Sequence, residues 1–265
     1  MKTLEDYISL KHAAPDHRIS YGKHSEQFGE LYLPKENNLH PTIIMIHGGC
    51  WQARYNLTVL GQLSKALTKI GYAVWNIEFR RLGNGGGFPI TFEDVAMGAD
   101  FLNTIAKKYA LDLNSLTAMG HSAGGHLALW LAGRHHLSRS SKFHSNSAIK
   151  LERVISLAGI PDLVAGVEQD ICRGACLNLM GGLPNKIPEQ YQLASPHHLL
   201  PLNIPHWHLV GEHDPLVPVS YLEPFIQRAK QQDTHVHFEV IPEIGHFEMV
   251  MPNTVSWNYI KEALQ

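Results

Sequence analysis

The sequence predicts an α/β protein built on a mostly parallel sheet with helices on both faces. Short apolar runs rich in β-branched residues alternate with longer amphipathic stretches through much of the chain. The short runs lack the length of a helix, and the longer ones end in stop signals such as Gly71. With 265 residues, 44% hydrophobic and 17% charged, the chain can bury a substantial core. Length alone would admit one large domain or two small ones, and the chain is read as a single domain over 1–265 with an insertion at 161–205.

The elements follow in order. Residues 18–21 and 28–33 read as an antiparallel hairpin at one sheet edge. Residues 42–46 form a buried strand, 57–70 a helix and 72–79 the next strand. The glycine-rich turn at 83–87 leads to a helix over 92–109 and a strand over 116–119. The helix over 123–136 is apolar almost all round, which marks it as buried. Inner strands at 154–157 and 206–210, a helix over 219–231, a last strand at 235–241 and a closing helix over 257–264 complete the pattern. Between 161 and 205 the rhythm breaks: there is no strong strand, but several Pro and Gly residues and two short helical candidates. An insertion of that length in a compact domain is more often functional than idle, so a small cap or lid is expected there. The competing expectation is an elaborate but inert crossover.

Composition narrows the partners. A net charge of −2 provides no global field for nucleic acid or an anionic membrane surface, so neither is expected as a partner. No apolar run approaches the ~20 residues of a spanning helix, and the first residues lack the apolar core of a signal peptide. Cys50, Cys172 and Cys176 are few and odd in number, which points to reduced thiols in a cytoplasmic setting. Cys172 and Cys176 could share a helix face, yet no further soft ligand lies nearby in sequence. The 18 histidines are scattered rather than gathered at ligand spacings, so no metal and no cofactor are expected.

Chemistry concentrates at Gly120-His121-Ser122-Ala123-Gly124, where a strand hands over to a helix. A sharp turn there lifts Ser122 above the sheet and requires small residues two positions to either side. The Ala123 amide then points toward a developing oxyanion. Directly after the first buried strand comes His47-Gly48-Gly49-Cys50-Trp51. The amides of Gly49 and Cys50, with Gly48 shaping the turn, are candidate partners of Ala123 in an oxyanion hole. His47 and Trp51 are expected to shape this loop.

A serine nucleophile needs a base, and the base an orienting acid, in the chain order Ser, Asp or Glu, His. Asp214 follows the strand at 206–210, and His246 follows the strand at 235–241, so both fall at strand carboxyl ends. Glu212 and Asp233 are rival acids, and His208 and His213 rival bases. Trp51 and Phe247 lie beside the motifs as candidate substrate contacts, Phe88 and Tyr191 farther off; core packing competes with that role for each. Glu78, Arg80, Arg81 and Asp94 are read as fold-stabilising ion pairs.

Together these motifs resemble the α/β-hydrolase superfamily, in the branch whose H-G-G oxyanion loop is shared by hormone-sensitive-lipase-like esterases. The loop also matches the H-G-G-x-W pattern of kynurenine formamidase-like hydrolases. The resemblance runs from about Pro41 to Phe247. It implies an eight-stranded sheet, a Ser122–Asp214–His246 triad and cleavage of a small carboxylic ester or aryl formamide without a cofactor. Cys50 departs from the lipase-like loop by replacing a third glycine; an amide donor survives, while the thiol narrows the acyl pocket. Two alternatives stay open, a catalytically inactive receptor for a small molecule and a peptidase of the same fold. Nothing in the sequence decides oligomeric state, so a homodimer stays open too.

Overall fold

The computed structural model describes residues 1–265 apart from Asn37 and Arg139. Its strands are β1 (His17–Ser20), β2 (Phe28–Tyr32), β3 (His40–Ile46), β4 (Ala73–Ile77), β5 (Leu111–His121), β6 (Arg153–Leu157), β7 (His206–Gly211) and β8 (Val236–Ile241). They form one eight-stranded sheet in the order β1-β2-β4-β3-β5-β6-β7-β8. The β1–β2 and β2–β4 pairings are antiparallel, and every other pairing is parallel. This is the α/β-hydrolase fold expected from the motifs.

The helices are α1 (Leu4–Ile8), α2 (Gly61–Thr68), α3 (Ile90–Asp100), α4 (Leu102–Ile105), α5 (Ala123–Gly133), α6 (Leu163–Glu168), α7 (Ala175–Met180), α8 (Pro188–Ala194), α9 (Val219–Gln232) and α10 (Ser256–Ala263). All eleven residues of α5 are buried, as its apolar character dictates. The central strands are nearly as dry: Ile43, Ile44, Val74, Trp75, Met119, Val154 and Ile155 have no exposed surface.

Several boundaries differ from the sequence reading. The helix expected over 57–70 opens as a 3-10 turn, Leu57–Leu60, with the Asn56 side chain accepting from the Thr58 amide. The expected 92–109 helix begins at Ile90 and divides at Phe101 into α3 and α4. β5 is much longer than 116–119, because its first residues pair with His40 and Pro41 across a register shift.

The 161–205 segment contains α6, α7, α8 and a 3-10 turn, Pro196–Leu199, more helix than two short candidates. It is packed down rather than standing free. Leu163, Ile171, Leu179, Tyr191 and Ala194 are buried. Trp130 Nε1 donates to the Leu193 carbonyl at 2.9 Å, and His126 Nε2 donates to the Ala194 carbonyl at 3.0 Å. The Phe88 amide donates to the Leu179 carbonyl at 2.6 Å.

A disulfide joins Cys50 to Cys172, with Cα atoms 5.8 Å apart. The expectation of three reduced thiols therefore fails for this pair, and only Cys176 is free. Cys172 also lies outside α7, so it shares no helix face with Cys176. The reason is tertiary: β3 and β6 both deliver their following loops to the carboxyl edge of the sheet, where residues 122 apart in sequence meet. Among the described residues, no helix is long and apolar enough to cross a membrane.

Candidate active site

Ser122 joins β5 to α5 with φ 54° and ψ −120°, a conformation that costs a non-glycine residue on the order of 1–3 kcal/mol. Neighbouring backbone forces the turn. A Cβ on Gly120 would lie 2.1 Å from the Gly124 carbonyl oxygen, and one on Gly124 would lie 2.0 Å from the Ile46 carbonyl oxygen. The Ser122 amide donates to Leu157 at 2.8 Å, which ties the turn to β6.

The loop after β3 curls toward this serine. Gly49, Cys50 and Trp51 have φ of 109°, 52° and 53°, so three successive residues occupy the left-handed region. A Cβ on Gly48 would meet the His121 carbonyl oxygen at 2.8 Å and Ser122 Cβ at 3.1 Å, so the loop lies directly against the turn. The amides of Gly48, Gly49, Cys50 and Ala123 donate to no acceptor among the described residues. Unpaired N–H groups beside a serine are the kind of donor that stabilisation of an oxyanion requires.

A buried charged network braces the loop. His47 Nδ1 faces the Gly48 carbonyl oxygen at 2.8 Å, and His47 Nε2 faces Glu78 Oε1 at 2.9 Å. Glu78 also accepts from the amides of Leu57 and Phe79, each at 3.0 Å, and pairs with Arg81. Arg81 in turn donates to the Tyr55 carbonyl at 2.7 Å and pairs with Glu26. Burial disfavours the Glu78 carboxylate, but His47, Arg81 and the Phe79 amide outweigh it and hold its pKa below the usual range. Beside the network, Arg80 grips Asp94 through two nitrogens at 2.7 and 2.6 Å. The four charged residues thus pair as the sequence suggested, and Glu78 and Arg81 do more, since they hold the 47–57 loop.

Asp214 and His246 meet across the ends of β7 and β8. His246 Nδ1 donates to Asp214 Oδ2 at 2.6 Å. Asp214 Oδ1 accepts from the Leu216 and Val217 amides, each at 2.8 Å, so the carboxylate is clamped on both oxygens. His246 Nε2 is left without a hydrogen-bond partner, and no hydrogen bond joins it to Ser122 Oγ among the described residues. Such contacts are often open in free enzymes and close only around substrate.

The rivals sit elsewhere. Glu212 is exposed and accepts from the Glu243 amide, while Asp233 caps Leu202 and Asn203. His208 is buried against His206, with ring nitrogens 2.8 Å apart, and His213 is exposed beside Glu212.

Trp51 is buried edge-on against His126, a packing role. Phe247 is half-buried at the site, its ring edge-on to His246 at 5.4 Å. Phe88 packs against Phe92 and Phe143, and the Tyr191 hydroxyl donates to the Gly182 carbonyl at 3.0 Å.

Two neighbours escaped the sequence reading. His121 Nε2 donates to the His246 carbonyl at 3.0 Å, linking the Ser122 turn to the His246 loop. Burial, then the nearby His246, drives the His121 pKa well down, which keeps it neutral. Its position inside the G-x-S-x-G string was the available signal. Tyr7 of α1 packs 5.6 Å from the His121 ring and 5.2 Å from the Phe247 ring, and no local motif announces it.

The family model of BD-FAE matches residues 30–227, most of the chain. The chain belongs to the BD-FAE family. The matched stretch includes Ser122 and Asp214 and stops before His246. Solved structures similar to this BD-FAE member include esterase B from Lactobacillus rhamnosis (HN001), with a TM-score of 0.82 and 19% identity over 98% of this chain and 88% of that one. A truncated carbohydrate esterase from gut microbiota has a TM-score of 0.78 and 19% identity, covering 93% of each chain. A bifunctional GH43-CE protein from Bacteroides eggerthii has a TM-score of 0.75 and 23% identity over 93% of this chain, which spans 36% of that protein. Comparison with curated proteins returned no match.

Proposed function

We propose that this BD-FAE member is a serine hydrolase that cleaves a small carboxylic ester through an acyl-enzyme. The observation that carries this reading is the 2.6 Å bond from His246 to Asp214 at the same sheet edge as the strained Ser122 turn. Ser122 Oγ attacks the ester carbonyl as His246 Nε2 takes its proton, while Asp214 holds the Nδ1–H tautomer and stabilises the imidazolium. Negative charge forms on the carbonyl oxygen, facing the amides of Gly49, Cys50 and Ala123, with Gly48 shaping the approach. His246 then protonates the leaving alcohol. Water, deprotonated by the same histidine, releases the acid from Ser122. The reaction needs no cofactor.

The 161–205 segment forms a fixed cap beside the acyl site on this reading, supported by its disulfide to Cys50 and its hydrogen bonds to Trp130 and His126. Phe247 is the better candidate for substrate contact, being half-exposed where Trp51 is buried. Two of the similar solved structures named above are called esterases, which favours an ester over the aryl formamide suggested by the H-G-G-x-W loop.

Parallel kinetics on acyl esters from acetyl to octanoyl and on N-formylkynurenine will rank the substrates by specificity constant. A higher constant for the formamide would replace the ester reading. Ser122→Ala should abolish both turnover and fluorophosphonate labelling while the protein stays folded. Retained labelling would remove Ser122 from the nucleophile role, and tight small-molecule binding without turnover would favour a receptor.

A further inference from the structure

We infer that the Cys50–Cys172 disulfide positions the oxyanion loop, so that its reduction by a dithiol lowers turnover without disabling the nucleophile. The inference rests on the serine hydrolase reading and adds Cys172 as a positioning residue that acts through Cys50.

Cys50 carries one of the unpaired amides of the loop that lies against the Ser122 turn through Gly48, and it sits in the middle of three residues held at positive φ. Two of the three carry side chains, so the loop needs restraint to keep that shape. Its neighbours have it. The Leu82 amide donates to the Trp51 carbonyl at 2.7 Å, and the Gln52 amide donates back to Gly49 at 3.0 Å. The His47–Glu78–Arg81 network holds the loop from beneath. Cys50 itself makes no hydrogen bond among the described residues, by backbone or side chain, and its one covalent tie outside its own segment is Cys172.

The other end of that tie is firm. Asp170, Cys172, Arg173 and Gly174 have φ of 54°, 62°, 51° and 76°, and this tight turn is seated by the buried Ile171, whose amide donates to the Gly166 carbonyl at 2.9 Å. The disulfide therefore anchors the oxyanion amide to a turn that α6 and α7 hold down. The third cysteine does not compete. Burial pushes the Cys176 thiol up to about 12, so it supplies almost no thiolate for exchange. Cys50 and Cys172 are each half-buried, which leaves the bridge open to a small reagent.

The chemistry is a two-electron exchange. One thiolate of an external dithiol attacks a bridge sulfur, the Cys50–Cys172 bond breaks, and a mixed disulfide forms. The second thiol of the reagent displaces it, leaving a cyclic disulfide and two cysteine thiols, with both electrons and both protons supplied by the dithiol. Oxidised glutathione reverses the exchange.

The test compares oxidised, dithiothreitol-reduced and reoxidised protein with Cys172→Ala and Cys172→Ser variants, all assayed well below their unfolding temperatures. Mass spectrometry after alkylation in denaturant should count one free thiol before reduction and three after. Turnover of p-nitrophenyl acetate should fall roughly 10- to 100-fold in kcat on reduction, the scale expected when a donor shifts by about 1 Å, with KM within about twofold. Both variants should match the reduced protein and ignore dithiothreitol, reoxidation should restore the native enzyme, and fluorophosphonate should still label Ser122 in every form. Three free thiols in untreated protein, or unchanged kcat after verified reduction, would overturn the positioning role. A fall in unfolding temperature with kcat intact would mean that the bridge only stabilises the fold. Absence of both labelling and turnover in the oxidised protein would instead defeat the hydrolase reading on which the inference stands.

Discussion

Asp214 and His246 reach each other across the ends of two adjacent strands, whereas the 47–51 loop opposite them is held by residues from distant parts of the chain. The first arrangement continues a β ladder. Gly211 pairs with Ile241 at the end of β7 and β8, and the Glu212 and His213 amides then donate to Ile241 and Ile244. The acid and base loops inherit their spacing from the sheet. The oxyanion loop has no ladder to extend. Its shape depends on Glu78 and Arg81 after β4, Glu26 before β2 and Cys172 beyond β6. On the proposed mechanism, the contrast predicts that the Asp214–His246 side tolerates changes around it, while the 47–51 loop can be disturbed by substitutions that never touch substrate.

Three measurements can break or sharpen that contrast. The largest effect is expected from Asp214→Asn, which keeps the geometry but favours the wrong His246 tautomer. By analogy with other triads kcat should fall ~10⁴-fold, equivalent to about 5 kcal/mol of barrier. Because the ladder sets the loop spacing, the unfolding temperature should hardly move; a large drop would show that the pair also carries the fold.

Glu78→Gln comes next and should act in the opposite manner. Removing the Glu78 charge breaks a buried ion pair and leaves Arg81 with Glu26 as its remaining carboxylate partner, at a cost of roughly 3 kcal/mol in stability. Chemical denaturation should read that loss, and kcat should fall with it through the displaced loop. Normal stability with normal kcat would mean that the network does not govern the loop.

The smallest expected effect is in pH. Burial holds His126 at about 4 against an ordinary 6.5, and lowers His206 and His208 in the same direction. As pH falls, the unfolded chain takes up protons on these rings before the folded protein does. Stability should therefore be full above about 6.5 and decline toward about 4, by about 3 kcal/mol from His126 alone. His126 also donates to Ala194, so the 161–205 segment should loosen early in this window, before the β7–β8 loops. Hydrogen exchange at pH 5 checks that order, and simultaneous loosening would dissolve the distinction between the two regions.

What could be read without coordinates follows the range of the forces involved. Alternating apolar runs recovered the order of strands and helices, because burial of one face imposes a local period. Where neighbours in space intervene, boundaries moved: β5 grew by pairing with His40 and Pro41, and the helix expected over 92–109 divided at Phe101. Ser122, Asp214 and His246 were legible as candidates because each follows a strand, where the parallel sheet gathers loops at one edge. Glu78 and Arg81 were legible only as ion pairs, and Tyr7 not at all, since what they touch lies far off in the chain.

The sequence by itself determined the sheet, the nucleophile turn and the candidate triad, all of them set by local periodicity and by short motifs at strand ends. Only the tertiary structure decided that Cys50 is bonded rather than free, that Trp51 is buried against His126 rather than open to a substrate, and that a buried network stands under the 47–51 loop. Those outcomes depend on which distant residues the folded sheet brings within a few ångströms, and no spacing along the chain encodes that distance.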